Sequence, residues 1–318
     1  MKDIHPSAHR GKTAARKLLF GVNDVQLGEK RAQPAVAPLK LDRYGMTVLW
    51  KPGQKVTGQE FGDAPASQSI YAIVQGNAGA TPRTNAQRAE FANYVRALTK
   101  AHPNIKEVQV WNEPSLKYNW DKAAGKYSYE SLLAKTFDRM RGSKVAIAAP
   151  GQYPAAGNQI QFVRRIGNYM HQSQRNRPLF NIFASHPYWD ANKSALIEKV
   201  MNRRWANTAQ ASPNRGMKIW WTETGLNAPH AGATPGTYTG TRDSWVAGNE
   251  QQQVDRMNQL GRIARKDPAI GAMFNFLLYD ESNLSRWQSG LLDPTGATKP
   301  AFLAYQNLIA QTRAQQGG

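Results

Sequence analysis

The sequence predicts one closed (β/α)8 barrel whose second outer helix is abbreviated or missing. Three observations carry that expectation: eight short apolar runs recur along the 318 residues, stretches of helical period separate most of them, and no break in composition divides the chain. The runs are Leu18–Val22, Met46–Trp50, Ile70–Gln75, Lys106–Trp111, Lys144–Ala149, Asn181–His186, Lys218–Glu223 and Gly271–Leu278. They are continuous rather than two-faced, as parallel strands covered on both sides must be. Such a barrel occupies about 250 residues. The single domain is therefore expected over 18–312, after a basic N-terminal extension at 1–17 and before a frayed tail at 313–318.

The helical stripes follow in order. Thr84 and Gln87 form a capping-box signature, in which each side chain satisfies the other residue's backbone donor, and Phe91, Tyr94, Val95 and Leu98 then repeat at helical spacing. Leu132, Leu133, Phe137 and Met140 make a second stripe, and Phe162, Val163, Ile166 and Met170 a third. Leu196, Ile197, Val200 and Met201 make a fourth, and Val254, Met257, Leu260 and Ala264 a fifth. Pro300 opens a last helix with Phe302, Tyr305, Leu308 and Ile309 inward, because proline suits a first helical turn. One interval is too short. Pro52, Gly53, Gly58, Gly62 and Pro65 crowd the stretch between Trp50 and Ile70 and leave no room for a helix with two loops.

Lysine and arginine number 41 against 22 acidic residues, a formal charge of +19. The cations are spread along the chain, which favours solvated faces and non-specific attraction to anionic polymers over a specific nucleic-acid site. The absence of cysteine excludes disulfide scaffolds, thiolate nucleophiles and cysteine-held metals. No apolar run approaches the ~20 residues that cross a bilayer. No apolar stretch follows the basic N-terminal residues, so no leader is expected in this chain and its compartment stays open. The six histidines lack ligand spacing, and no dinucleotide-binding, phosphate-loop or G-x-S-x-G motif occurs. Neither metal nor cofactor is expected, and a monomer is.

Functional groups of such a barrel sit where strands end. Two glutamates stand out there: Glu113 follows VQVWN and Glu223 follows KIWWT, each closing an apolar run. A carboxylate held among aromatic neighbours is costly without partners and has its pKa raised. Two facing carboxylates suit glycoside hydrolysis, in which one protonates the leaving oxygen while the other attacks the anomeric carbon or activates water.

VQVWNEP followed by IWWTETG resembles the acid/base and nucleophile strands of glycoside hydrolase clan A, most closely the cellulase-type families such as 5 and 39. GVND, WKPG, SHPY and the closing WQSGLLDPTGATKPAFLAY extend the likeness over roughly residues 18 to 310. The resemblance implies a retaining β-glycosidase acting on an oligo- or polysaccharide, with Glu113 as general acid/base and Glu223 as nucleophile. It further implies that Asn112 holds a sugar hydroxyl, that Tyr188 donates to the nucleophile, and that His186 supports the same network.

Tryptophans at strand ends and in loops are candidate platforms for the apolar faces of sugar rings, namely Trp50, Trp120, Trp189, Trp245 and Trp287. Trp111, Trp205 and Trp220 are expected in the core. The sequence also departs from the clan pattern. The second strand offers no arginine, since Arg43 precedes it, and FNFLLY on the eighth offers Phe276 or Tyr279 where a tryptophan is usual. A catalytically degenerate barrel serving as a glycan-binding or cell-wall-associated module is the alternative that these departures keep open.

Overall fold

The computed structural model describes residues 17–151, 156–188, 217–241 and 248–317. Eight strands form it: β1 Leu19–Asn23, β2 Arg43–Leu49, β3 Ile70–Gln75, β4 Ile105–Val110, β5 Ala146–Ala148, β6 Ile182–Ser185, β7 Lys218–Thr224 and β8 Ile270–Phe276. Each pairs in parallel with the next, and β8 returns to β1 in the register Leu19↔Ala272 to Asn23↔Phe276, so the barrel closes. Among the described residues six α-helices accompany it: α1 Ala32–Val36, α2 Asn85–Ala101, α3 Ser128–Arg139, α4 Ala156–Gln172, α5 Glu250–Lys266 and α6 Pro300–Gln315. The expected stripe at 196–201 lies outside the described residues, as do the extension at 1–16 and Trp189, Trp205 and Trp245.

The capping box forms as the sequence predicts. Gln87 N donates to Thr84 Oγ1 at 3.2 Å and Thr84 N to Gln87 Oε1 at 3.1 Å, starting α2 where the apolar stripe begins. The last helix runs to Gln315, three residues beyond the predicted tail boundary, because Thr312 is still buried and anchors its final turn.

No helix joins β2 to β3. A loop of turns closes that part of the wall. Phe61, 4% exposed, supplies the missing apolar cover, and the His102 ring meets its edge at 4.8 Å. His102 Nε2 lies 2.7 Å from the Glu60 carboxylate, tying the loop to the end of α2. Asp63 N donates to Gly28 O at 2.8 Å, which joins the loop to the first crossover.

Inside the barrel, Tyr71, Trp220 and Phe274 pack with ring centroids 5.1 to 6.0 Å apart and form the floor beneath the mouth. Gly21 makes this layer possible: a Cβ there would lie 2.5 Å from the Phe274 ring. Arg43 opens β2 rather than preceding it, and its guanidinium forks onto Glu107 of β4 at 2.7 and 2.9 Å. The one arginine of that strand is thus committed away from the mouth.

Candidate active site

The C-terminal end of β4 turns sharply. Trp111 (φ 68) and Glu113 (φ 41) both sit in the left-handed region, where a residue with a Cβ carries about 1 kcal/mol or more of strain. The turn is over-determined by its surroundings. Trp111 is fully buried, packs on Trp50, Phe91 and Trp120, and donates its indole N–H to Asn119 O at 2.8 Å. Glu113 N donates to Gly151 O at 2.9 Å. The consequence is that Asn112 and Glu113 both face the mouth.

β6 and β7 bring the remaining groups. His186 is fully buried, with Nδ1 at 2.9 Å from Glu113 Oε1 and 3.4 Å from Glu223 Oε2. Its ring fits only because residue 151 is glycine, since a Cβ there would lie 2.0 Å from His186 Nε2. Tyr188 donates its hydroxyl to Glu223 Oε2 at 3.0 Å. One oxygen or nitrogen from each of Glu113, His186 and Glu223 falls within 4.8 Å of the others. The two glutamates predicted from strand ends therefore meet across one imidazole.

The electrostatics follow from burial. Desolvation pushes the Glu223 carboxyl up to about 7; the nearby Glu113 charge adds to the rise, while His186, the Tyr188 hydroxyl and the Asn112 amide oppose it. Burial works against a charged His186, yet the two carboxylates outweigh it and raise its pKa, so the imidazolium persists above its ordinary range. Burial beside Glu223 drives the Tyr188 phenol upward, which keeps it a donor.

Strand ends alone do not disclose the residues that aim these groups. Gln109, fully buried inside β4, accepts the Tyr71 hydroxyl at 2.8 Å and donates to Trp111 O and Asn112 Oδ1, both at 3.0 Å. With its oxygen so occupied, the Asn112 amide presents its N–H to Glu223. A glutamine interrupting VQVW was the available signal. Arg256 of α5 donates to the carbonyls of Pro187 and Tyr188 at 3.0 and 2.6 Å and pins the loop that carries Tyr188. Nothing in the sequence pairs residues this far apart.

The tryptophans divide. Trp287 is half-buried and stacks at 5.3 Å, with 28° between planes, on Tyr188, whose hydroxyl donates to Glu223. Phe276 meets the edge of Trp287 at 5.4 Å. Trp50 and Trp120 do not take the expected platform role. They are 2% and 4% exposed, locked around Trp111 and Phe91, and their faces are spent on the core. Trp111 and Trp220 are buried, as predicted.

Glu113, His186 and Glu223 also have the composition of a three-ligand metal set. The Nδ1-to-oxygen spacing of 2.9 Å to Glu113 is that of a shared proton, and a bound metal would have to displace it.

Neither a known family pattern nor a curated protein matches the sequence. Solved structures do match in shape. A family 39 glycoside hydrolase from Bacteroides cellulosilyticus WH2 superposes with a TM-score of 0.67 at 14% identity, covering 93% of this chain and 64% of that one. A GH5_18 protein from Streptomyces cattleya, solved in complex with GlcNAc, gives 0.63 at 16% identity, with 95% and 82% covered. A GH2 β-galacturonidase from Eisenbergiella tayi bound to galacturonate gives 0.57 at 12%, with 93% and 51% covered. The chain spans under two thirds of the first and about half of the last. At these identities the likeness establishes the (β/α)8 barrel.

Proposed function

We propose that this barrel is a retaining β-glycosidase acting on an oligo- or polysaccharide, with Glu113 as general acid/base and Glu223 as nucleophile. One observation carries the proposal: carboxylates from the ends of β4 and β7 converge on His186 Nδ1, with the interacting atoms within 4.8 Å. Double displacement needs its carboxyl groups about 5–5.5 Å apart, whereas inversion needs room for a water between them. The glycoside hydrolase neighbours are consistent with that chemistry.

In the resting site Glu223 holds a proton up to about pH 7. Attack requires it ionised and Glu113 protonated. His186 Nδ1 lies between the two carboxylates and offers the short path for that transfer, while Tyr188 and Asn112 donate to the carboxylate that results. Positive charge developing at the anomeric carbon favours the same distribution. Glu113 then gives its proton to the glycosidic oxygen as that bond breaks, and a Glu223 oxygen bonds to the anomeric carbon. Water attacks next, Glu113 takes its proton, and the Glu223 ester is released with overall retention. Trp287, stacked on Tyr188, would pack against the sugar held there.

Proton NMR of the first product formed from an aryl β-glycoside tests the proposal. The β-anomer must appear before mutarotation; initial α-anomer, or no turnover over a panel of glycosides, would overturn it.

A second reading has one observation in its favour. The arginine of β2 is engaged with Glu107, so it does not supply Glu223 with the cation that clan members commonly place beside the nucleophile. On that reading the barrel is a glycan-binding module, and calorimetry would register oligosaccharide binding with no hydrolysis product.

A further inference from the structure

The loop between β8 and α6 carries Trp287 against Tyr188, and both of its arms are pinned close to that ring. On the outgoing arm Glu281 N donates to Trp287 O at 2.9 Å and Asp280 N to Leu292 O at 2.8 Å. On the returning arm Gln288 N donates to Asn227 Oδ1 at 2.9 Å, and Gln288 O accepts Ala228 N at 2.9 Å. Asn227 and Ala228 lie on the loop that begins just after Glu223. The chain beside Trp287 is thus tied to the chain that leaves Glu223.

One ion pair holds the two arms together. The side chains of Lys299 and Asp280 are fully buried, with Lys299 Nζ 2.9 Å from each Asp280 oxygen. Lys299 Nζ also donates to Gln288 O at 3.1 Å, and Asp280 Oδ1 accepts Gly290 N at 2.8 Å. Tyr238, on the loop after β7, donates its hydroxyl to Asp280 Oδ2 at 2.5 Å and accepts His230 N at 2.9 Å. Burying two charges carries a desolvation cost that their attraction only roughly offsets, and apolar residues of the same volume are often as stabilising. Apolar residues could not hold a carbonyl, an amide and a phenol at set distances, as this pair does.

We infer that Lys299 and Asp280 are positioning residues: through the main chain of Gln288 and Gly290 they hold the Trp287 ring in its stack on Tyr188, and so set how tightly a sugar binds at Glu223. The inference rests on the glycosidase proposal for what Trp287 meets. Neither residue touches Glu113, His186 or Glu223 among the described contacts, so the effect travels through Trp287 alone.

The test uses the double variant Asp280→Asn/Lys299→Met, which removes both charges together and leaves neither buried alone. Steady-state kinetics on an aryl β-glycoside are measured with these substitutions in the wild type and in a Trp287→Ala background. In the wild type they are expected to raise KM about fivefold with kcat held within about twofold, since a contact made equally in ground and transition states acts on KM. In the Trp287→Ala background they should leave KM unchanged, because the ring they position is gone. An unchanged KM in the double variant, a loss of kcat instead, or the same rise without Trp287 would each overturn the inference. If the double variant does not fold, Tyr238→Phe removes one donor to Asp280 and should raise KM about twofold, again only where Trp287 is present; no rise, or an equal rise in Trp287→Ala, overturns it. A wild type that turns over no glycoside refutes the glycosidase proposal. The positioning is then read by NMR from the indole N–H resonance of Trp287, assigned by its absence from the Trp287→Phe variant. That resonance moves in the double variant, or in Tyr238→Phe, if the inference holds; an unmoved resonance overturns it.

Discussion

Replacing Tyr188 with phenylalanine removes one oxygen and little else. The ring stays wedged between Trp287 at 5.3 Å and Phe276 at 6.5 Å, so the packing survives. What is lost is the 3.0 Å donation to Glu223 Oε2, in a site where Glu223 is only 8% exposed and water cannot readily take over. A hydrogen bond to a charged group is worth about 1.5–3 kcal/mol, and one pKa unit corresponds to about 1.4 kcal/mol. The Tyr188 bond favours ionised Glu223, so its loss raises that carboxyl by about 1–2 units above its present value. A good leaving group needs no proton from Glu113, so for such a substrate the reactive form is the one in which Glu223 is already ionised. Activity then falls as pH drops through about 7 in the wild type, because the proton on Glu223 must first be moved to Glu113. In the Tyr188→Phe variant the acidic limb moves to higher pH. The assay is the pH profile of kcat/KM on an aryl β-glycoside with a good leaving group, for which protonation by Glu113 matters least. An acidic limb unmoved by the substitution would refute the proposed link between this hydroxyl and the charge on Glu223.

Two further substitutions probe how the site is aimed. Gln109→Leu leaves the Tyr71 hydroxyl and Asn112 Oδ1 without their buried partner, so kcat should fall by about tenfold with KM little changed and the melting temperature lowered; unchanged kcat would show that Asn112 needs no such hold. Gly151→Ala places a methyl 2.0 Å from His186 Nε2, which displaces the imidazole from both carboxylates, and turnover should drop with poor and good leaving groups alike; wild-type rates would remove His186 from the mechanism.

Much of this architecture is legible in the sequence, because barrel strands announce themselves as apolar runs and their ends as the first polar residues beyond. All eight strands fall within three residues of the predicted positions at either end. The largest offset at a start is in β2, which opens at Arg43 because its backbone pairs with β1 (Gly21↔Arg43) although Arg43 and Tyr44 lack an aliphatic signature. The missing helix between β2 and β3 follows from prolines and glycines that no helix of that length accommodates. Glu113, Glu223, Asn112, His186, Tyr188 and Trp287 converge at the mouth because each ends or closely follows a strand, or lies on the loop after β8. Trp50 and Trp120 satisfy the same positional rule and fail it in space. Their rings were already required by Trp111 and Phe91, a condition set by packing between elements and invisible along the chain. Gln109 escapes a reading of strand ends for the opposite reason: it lies buried inside a strand, where a polar residue is a more telling signal than one at its end.

The central claim is that Glu223 forms a bond to sugar. Mass spectrometry after incubation with a panel of 2-deoxy-2-fluoro aryl β-glycosides, which slow release of a glycosyl-enzyme, tests it most directly. A single added fluorosugar on the peptide bearing Glu223 is the predicted result. Label on Glu113 instead, or sustained turnover with no labelled peptide, would contradict it.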